Sequence, residues 1–293
     1  MRVAITGSRG LLGSSLKNKF KKEGIEVIEI NRPDYDIVSY ESLIDLPESN
    51  TIDFLINCAA YTNVPKAQEE PDLAFLTNLQ GVTNLSKFCL HRDIHFIHFS
   101  TDFVFDGYSK VPYLESDAPN PLNIYGMTKL ESEIFLKKYA EEYSKFNYTV
   151  FRVQWLYGNN LNNFFQKIYQ AYKNNNKISL VDDEFGCPTH VDFLSNILFD
   201  ILNSSEKNEL VKNELFHLTH DDFSSRYDCG SYFLKELGCL NIEKVSNLRQ
   251  GELRRPKYGV LDNTKLRKVL GYSLGSWKDC LNSYINLSKE GNL

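Results

Sequence analysis

The chain has 293 residues, 42% of them hydrophobic and 24% charged, with 33 Lys plus Arg against 38 Asp plus Glu and a formal net charge of −5. This composition indicates a folded globular protein with a large core and argues against disorder. The acidic balance makes nucleic acid an unexpected partner. No apolar run approaches the roughly 18 residues of a membrane span, so we expect no membrane partner.

Cysteine usage points to a reducing compartment. The six cysteines are scattered without a C-x-x-C pair, and most stand beside apolar residues, where a free thiol packs as a small hydrophobe. The N-terminal apolar run is short and ends in a glycine turn, which fits a buried strand better than a signal peptide. We therefore expect a cytoplasmic protein.

In the first 150 residues, short apolar runs alternate with helical patterns. Strands are predicted at 2–6, 25–30, 54–60, 95–101 and 148–153. Helices are predicted from Leu11 to about Lys22, over 72–90, and onward from Tyr125. This alternation predicts βαβ units and a parallel sheet with helices on both faces. The expected fold class is α/β, with a doubly wound Rossmann-type parallel sheet.

From about residue 154 the alternation is less regular. The patterns predict a helix at 162–172, a Gly-Cys-Pro turn at 186–188 and a helix at 191–202. We expect residues 1–153 to form a dinucleotide-binding domain. Residues 154–293 should form mainly a smaller substrate-binding lobe, with some segments returning to the first domain. Such a lobe would lie at the carboxyl ends of the strands, where doubly wound sheets bind ligands.

The first predicted strand runs into a glycine turn, "AITGSRGLLGSSL", with Gly7, Gly10 and Gly13 at the mouth of the first helix. A tight turn, a close approach to a pyrophosphate and close helix packing each favour a residue without a Cβ. The N–H groups of the helix start, at Leu11 and Leu12, would face the phosphates. The spacing is G-x-x-G-x-x-G rather than G-x-G-x-x-G, but its place in the first βαβ unit predicts a dinucleotide site.

The end of the second predicted strand bears on the choice of dinucleotide. An acid there holds the ribose of NAD, whereas an arginine accommodates the 2′-phosphate of NADP. The sequence places Asn31 and Arg32 in this turn and Arg9 in the glycine loop, which favours NADPH over NADH. The alternatives are that both arginines are solvated surface charges, and that Glu29 or Asp34 reaches the ribose.

Tyr125 and Lys129 form a Y-x-x-x-K pair in "NPLNIYGMTKLESE". A tyrosine with a pKa near 10 takes part in proton transfer at neutral pH only with help, and a cation one helical turn away favours its phenolate. In isolation such a pair would more often be a surface helix pair than a catalytic one.

Seven segments occur in one order along nearly the whole chain. They are the glycine loop, "NCAAYTNV", "HFSTDFVFDG", "YLESDAPNPLNIYGMTKLESE", "FRVQWLYG", "DDEFGCPT" and "LRRPKYGVLDNTKL". Together they resemble the extended short-chain dehydrogenase/reductases, and within them most of all the dTDP-4-dehydrorhamnose reductase family. This resemblance implies NADPH-dependent reduction of the C4 ketone of a nucleotide-activated 4-keto-6-deoxy sugar, in deoxysugar and surface polysaccharide biosynthesis.

The resemblance also implies roles for single residues. Tyr125 would give a proton to the C4 oxygen, Lys129 would hold the nicotinamide ribose and lower the pKa of Tyr125, and Thr101 would hydrogen-bond the sugar oxygen. Further cofactor contacts are implied at Cys58, Ala59, Ala60 and Ser100, and further substrate contacts at Asp102, Phe103, Trp155 and Arg255.

Phe103 narrows the reaction type. Related sugar-nucleotide dehydratases carry Thr-Asp-Glu where this chain has Thr101-Asp102-Phe103, and a phenylalanine cannot transfer a proton. Reduction without dehydration is therefore favoured. Gln154 and Glu184 depart from the residues usual in the family, which leaves the identity of the sugar open.

Two other functions remain alternatives. One is a sugar-nucleotide epimerase that retains NAD, and the other is a non-catalytic regulatory subunit resembling that of methionine adenosyltransferase. His95 and His98 lie three residues apart on a strand and should face opposite sides, so no metal site is expected. The oligomeric state is open, with a homodimer among the options.

Overall fold

The structure of the chain, a computed structural model, describes residues 1–46, 52–159, 163–246 and 254–289. Its strands are β1 Arg2–Thr6, β2 Glu26–Ile30, β3 Phe54–Asn57, β4 His95–Thr101, β5 Tyr148–Val153, β6 Leu156–Tyr157, β7 Ile178–Val181, β8 Phe185–Gly186, β9 Thr189–His190, β10 Glu214–His217, β11 Ser224–Ser225 and β12 Ile242–Val245. Its helices are α1 Leu11–Lys22, α2 Tyr40–Ile44, α3 Val64–Glu69, α4 Pro71–Phe75, α5 Gly81–Arg92, α6 Ile124–Glu142, α7 Phe164–Lys173, α8 Val191–Asn203, α9 Ser205–Val211, α10 Arg226–Glu236, α11 Thr264–Leu270 and α12 Trp277–Lys289.

A six-stranded sheet in the order β10-β5-β4-β3-β1-β2 forms the centre of the fold, and all its pairings are parallel. Successive residues of each strand point to opposite faces. In β1, Val3 and Ile5 pack in one core with α1, α8 and α11, whereas Ala4 packs in a second core with α2, α5 and α6. The predicted doubly wound Rossmann-type sheet is confirmed.

Several predicted elements agree with the structure to the residue, namely β1, α1, β4 and β5. The helix predicted over 72–90 is instead two helices, α4 and α5, separated by a π-helical turn at Leu76–Gln80. Asn78 in this turn accepts a hydrogen bond from the Tyr61 N–H and donates to the Tyr61 carbonyl and to Thr128 Oγ1. The wider π-helical turn therefore occurs where the buried Asn78 amide forms hydrogen bonds to residues outside its own helix.

The later half of the chain contributes both to the main sheet and to a separate hydrophobic core. β10 pairs with β5 as an edge strand of the main sheet. Other segments build a third core around Tyr157, Phe165, Phe233 and Trp277. The boundary near residue 153 stays a prediction. The predicted start of a helix at 162 lies outside the described residues, and α7 begins at Phe164.

All six cysteines are free thiols. In the part of the chain that the structure describes, no helix combines the length and the apolar character that a bilayer crossing needs.

Gly13 shows how closely α1 approaches the glycine loop. A Cβ on Gly13 would lie 2.3 Å from the carbonyl oxygen of Gly7, which itself has a left-handed φ of 61°. We expect Gly13→Ala to lower the free energy of unfolding by about 1–3 kcal/mol, because the backbone must move to admit the methyl group. Urea unfolding measures this loss. In Gly10→Ala the Cβ would lie 3.2 Å from the same oxygen, so its loss should be smaller; equal losses would contradict the steric explanation.

Candidate active site

Two adjoining cavities open at the carboxyl ends of β1, β3 and β4. The first has a volume of about 400 Å³ and the second about 560 Å³. Gly10, Cys58 and Ala60 line both, so the cavities form one continuous groove. This is the edge at which parallel sheets bind dinucleotides.

The first cavity gathers most of the residues predicted to bind the cofactor. They are Gly7, Arg9, Gly10, Asn31, Arg32, Cys58, Ala59 and Ala60. The two arginines lie next to each other, with Arg9 Nη1 donating to the Arg32 carbonyl at 3.3 Å. Both arginines are exposed at the rim, which leaves their guanidinium groups accessible to an anion.

Glu29, the acid considered as an alternative ribose ligand, is already engaged. Its carboxylate accepts from Ser8 Oγ at 2.6 Å and from the amines of Lys17 and Lys21 at 3.2 and 3.1 Å. The hydrogen bond from Ser8, assisted by both lysines, lowers the pKa of Glu29 to about 2. Asn31 Nδ2 donates to Ser8 Oγ at 2.7 Å. These contacts join the glycine loop to the end of β2. They also engage both oxygens of the Glu29 carboxylate, which argues against Glu29 as a ribose ligand.

The start of α1 fits a dinucleotide phosphate. Gly10 at the N-cap has no side chain to cap the helix, and the first turn contains no acidic residue. Leu11 and Leu12, the first residues of α1, line the second cavity. Helix N–H groups that no side chain caps are suitable donors to an anion.

The second cavity contains the residues predicted for chemistry and substrate. Ser100, Thr101, Asp102, Phe103, Tyr125, Trp155 and Arg255 all line it. Two predicted cofactor residues lie behind the groove. Gly13 packs against the glycine loop, and Lys129 is buried with 2% of its surface exposed.

Tyr125 lies in the first turn of α6, where Asn123 caps the helix by accepting from the Gly126 N–H at 2.9 Å. Burial raises the pKa of Tyr125 to about 12; a hydrogen bond with Thr101 opposes this rise, and the charge of Asp102 adds to it. The phenol is therefore protonated at neutral pH. The ring of Phe103 packs edge-on against it, with 5.6 Å between centroids.

Lys129 differs from its expected position beside the tyrosine. Its Nζ lies 2.9 Å from His98 Nε2, and among the described residues no hydrogen bond joins it to Tyr125. Burial lowers the pKa of Lys129 to about 7. Lys129 is not among the groups that shift the pKa of Tyr125 in this arrangement. That it lowers this pKa during the reaction stays a prediction.

Arg226 is a site residue that the sequence did not reveal. It is the first residue of α10, and its guanidinium stacks on the Trp155 ring, 3.6 Å from the centroid. Its Nε lies 4.0 Å from Glu184 Oε2. A cation at the start of a helix opposes the helix dipole. An arginine at the start of a predicted helix could therefore have marked this residue as unusual. Nothing near residue 226 in the sequence, however, indicates a contact with Trp155.

Gln154 ties together the floor of the second cavity. Its Nε2 donates to Asp102 Oδ2 at 3.2 Å and to the Gly259 carbonyl at 2.8 Å, while its Oε1 accepts from the Cys187 N–H at 2.9 Å. Asp102 is buried, which raises its pKa to about 6 against the hydrogen bonds from Gln154 and Thr101. The Gln154 amide is therefore a hydrogen-bond partner of this buried carboxylate.

The described residues include no group of three or more side chains placed to bind a metal ion.

The buried Asp102 makes stability depend on pH. Its pKa of about 6 exceeds the unfolded value near 3.9, so its stabilising effect is full below pH 4 and is lost as the pH rises through 6. We expect Asp102→Asn to gain on the order of 2–3 kcal/mol relative to the parent between pH 4 and pH 7.5, measured by urea unfolding.

Asp106→Asn is the matched control. Although burial acts to raise the pKa of Asp106, hydrogen bonds from Tyr108, Asn120 and Tyr113 lower it overall. Its stabilising effect is therefore already nearly full above the unfolded pKa near 3.9, so this variant should change little relative to the parent over the same pH range. The same trend in both variants would exclude Asp102 as the source.

Comparison with known proteins places this geometry in a family. Residues 1–289 match the family model described as the RmlD substrate binding domain. A dTDP-4-dehydrorhamnose reductase of Sinorhizobium fredii is 31% identical over 95% of both chains. A dTDP-4-keto-6-deoxy-D-glucose reductase of Streptomyces niveus is 30% identical over 96% of this chain and 95% of its own.

A solved structure agrees. The dTDP-4-dehydrorhamnose reductase of Bacillus anthracis, crystallised in complex with NADP, superposes with a TM-score of 0.86 at 27% identity, over 96% of this chain and 97% of that one. The chain therefore belongs to the RmlD substrate-binding-domain family, which includes the dTDP-4-dehydrorhamnose reductases.

Proposed function

We propose that the chain is an NADPH-dependent reductase that converts the C4 ketone of a dTDP-linked 4-keto-6-deoxy sugar to the alcohol, in deoxysugar biosynthesis. The proposal rests on the second cavity, where a protonated Tyr125 and the Thr101 hydroxyl lie together beside the start of α1. Relatives named as reductases of such sugars, matched over nearly their full length, support it.

NADPH supplies the hydride when it is bound. The residues of the chain do the rest. The N–H groups at the start of α1 hold the phosphates, and the glycine loop lets the backbone approach them. Tyr125, protonated at neutral pH, donates its phenolic proton to the C4 oxygen as negative charge develops there. The Thr101 hydroxyl orients that oxygen. Lys129, in its charged form and turned toward the groove, would compensate the phenolate left on Tyr125.

The side chains around the reacting centre favour reduction over dehydration. Phe103 supplies an aromatic edge to Tyr125 where a second acid or base would be needed to remove water. Asp102 remains, buried and bonded to Gln154, but it lacks the second carboxyl group that a dehydratase has at position 103. One proton donor and one hydride satisfy a ketone reduction.

The wall formed by Trp155, Arg226 and Arg255 suits the nucleotide end of the substrate. The indole offers a flat apolar face, and guanidinium groups bind diphosphates with paired hydrogen bonds. A homodimer and a cytoplasmic location remain predictions.

A second candidate substrate is the unepimerised D-sugar. The Streptomyces niveus relative is named as a dTDP-4-keto-6-deoxy-D-glucose reductase and is nearly as similar as the rhamnose-type relative. The choice depends on how the sugar ring lies against Trp155 and Gln154, and Gln154 is one of the residues unusual for the family.

The function is tested by the loss of NADPH absorbance with dTDP-4-keto-6-deoxy-L-mannose, made in situ by a dehydratase and a 3,5-epimerase. We expect turnover that requires the epimerase and falls about 10²–10⁴-fold in Tyr125→Phe, because the proton donor is lost. Turnover without the epimerase would assign the D-sugar. Inactivity with both sugars, or NAD retained through purification, would contradict the proposal and favour the binding subunit or the epimerase.

Cofactor preference is tested at Arg32. Removing a charge-assisted contact to the 2′-phosphate costs about 1.5–3 kcal/mol, so Arg32→Gln should raise the KM for NADPH roughly 10–100-fold and leave that for NADH unchanged. Lys22→Gln, an exposed cation at the far end of α1, is the control and should change neither. Equal changes for both cofactors would exclude Arg32 as the discriminating residue.

A further inference from the structure

A row of buried polar side chains crosses the main sheet behind the groove. Thr6 of β1 is in register with Asn57 of β3, and Asn57 is in register with His98 of β4. Their exposed fractions are 0%, 2% and 0%. In-register neighbours share one face of a sheet. This row is therefore on the side packed by α6, where the preceding residues of that face are apolar.

The row is hydrogen-bonded from end to end. The Ala59 N–H donates to Thr6 Oγ1 at 3.1 Å, and the Thr6 hydroxyl donates to Asn57 Oδ1 at 2.6 Å. This leaves Asn57 Nδ2 directed at His98 Nδ1, 3.1 Å away. An amide nitrogen can only donate, so Nδ1 must accept. The proton of the neutral imidazole is then on Nε2.

The far side of the ring agrees with this tautomer. The Ser132 hydroxyl donates to the Lys129 carbonyl at 2.6 Å, so its oxygen can only accept from His98 Nε2, 3.1 Å away. Lys129 Nζ lies 2.9 Å from the same Nε2, so the single Nε2–H is shared between the Ser132 oxygen and the lysine nitrogen. An ammonium group has donors only, so it cannot bond to a nitrogen that carries a proton, whereas an uncharged amine can accept from it.

We propose that His98 is a positioning residue for Lys129: the row from Thr6 through Asn57 fixes its Nε2–H tautomer, and this tautomer holds the lysine side chain behind the groove as an uncharged amine. A charged Lys129 must leave this contact and turn toward the groove. The row thus links the end of β1, beside the glycine loop, to the lysine. The inference rests on the proposed role of Lys129 in the reduction.

The other groups near Lys129 do not replace His98. Cys58 faces it from the end of β3, and Tyr125 precedes it on α6. Glu133, one turn along α6, is held by Arg152 of β5 through bonds of 3.0 and 2.6 Å. Burial moves the pKa of Lys129 to about 7 and that of His98 well below its usual value, consistent with two uncharged groups.

The tautomer is tested directly by nitrogen NMR of the full chain labelled at its six histidines. Loss of one signal set in His98→Gln assigns His98. We expect a neutral ring protonated on Nε2 from pH 5 to pH 9. A proton on Nδ1, or formation of the imidazolium in this range, would overturn the proposal. The spectrum requires no substrate or turnover, so it stands or falls separately from the proposed reaction.

The effect on Lys129 is tested with Asn57→Asp, which keeps the shape of the side chain and replaces the donor with an acceptor. His98 should move its proton to Nδ1, leaving Nε2 free to accept from a charged lysine. The alkaline limb of the kcat profile should then shift upward by at least one pH unit, because Lys129 keeps its proton longer.

A carboxylate at position 57 also attracts the lysine through its charge alone, so a control is needed. The double variant Asn57→Asp with His98→Gln keeps that charge and removes the imidazole. Loss of the shift in the double variant supports transmission through the ring, whereas an undiminished shift would overturn it. If Asn57→Asp does not fold, Thr6→Val, which frees the amide to turn, should give a mixture of the two tautomers; an unchanged tautomer would contradict the role of the row.

Discussion

The parallel pairing of β1 with β3 is the constraint on which the site depends. The chain leaves β1 to form β2 on one side and returns to form β3 on the other, so the connections diverge at this point. Thr6 and Asn57 are paired at the two strand ends, and the glycine loop begins immediately beyond them. A shift of one residue in this register would turn Asn57 to the opposite face of the sheet, and its hydrogen bonds with Thr6 and His98 would be lost.

Burial then sets the charges in the site. The pKa of Asp102 rises and that of Lys129 falls, in each case toward the uncharged form, and Tyr125 is held protonated. Arginines stay charged in both cavities: Arg9 and Arg32 are exposed at the rim of the first, and Arg226 and Arg255 line the second. Cations at the rim and along the wall of the groove attract an anionic ligand.

The sequence predicted those parts of the molecule that have a local cause. Strand and helix bounds such as those of β4 and α1 follow from periodicity within a single segment. The cavity residues Thr101, Tyr125 and Trp155 follow from motifs. Contacts between distant segments escaped prediction, because no pattern near Arg226 records that its guanidinium stacks on Trp155.

His98 illustrates the same limit from another side. Alternation predicted that it faces the side opposite to His95, but its role depends on Asn57 and Lys129, from two other elements. The interruption at Asn78 likewise has its cause in Tyr61 and Thr128, outside its own helix. Register and three-dimensional partners decide these roles, and a single segment contains neither.

The stacking of Trp155 under Arg226 gives the protein an optical reporter. The chain has only two tryptophans, and the other, Trp277, is buried in the third core and does not line the second cavity. Molecules that enter the second cavity change the surroundings of Trp155 and leave Trp277 untouched. Intrinsic fluorescence therefore reports occupancy of the substrate end of the groove through Trp155, with no label added to the chain.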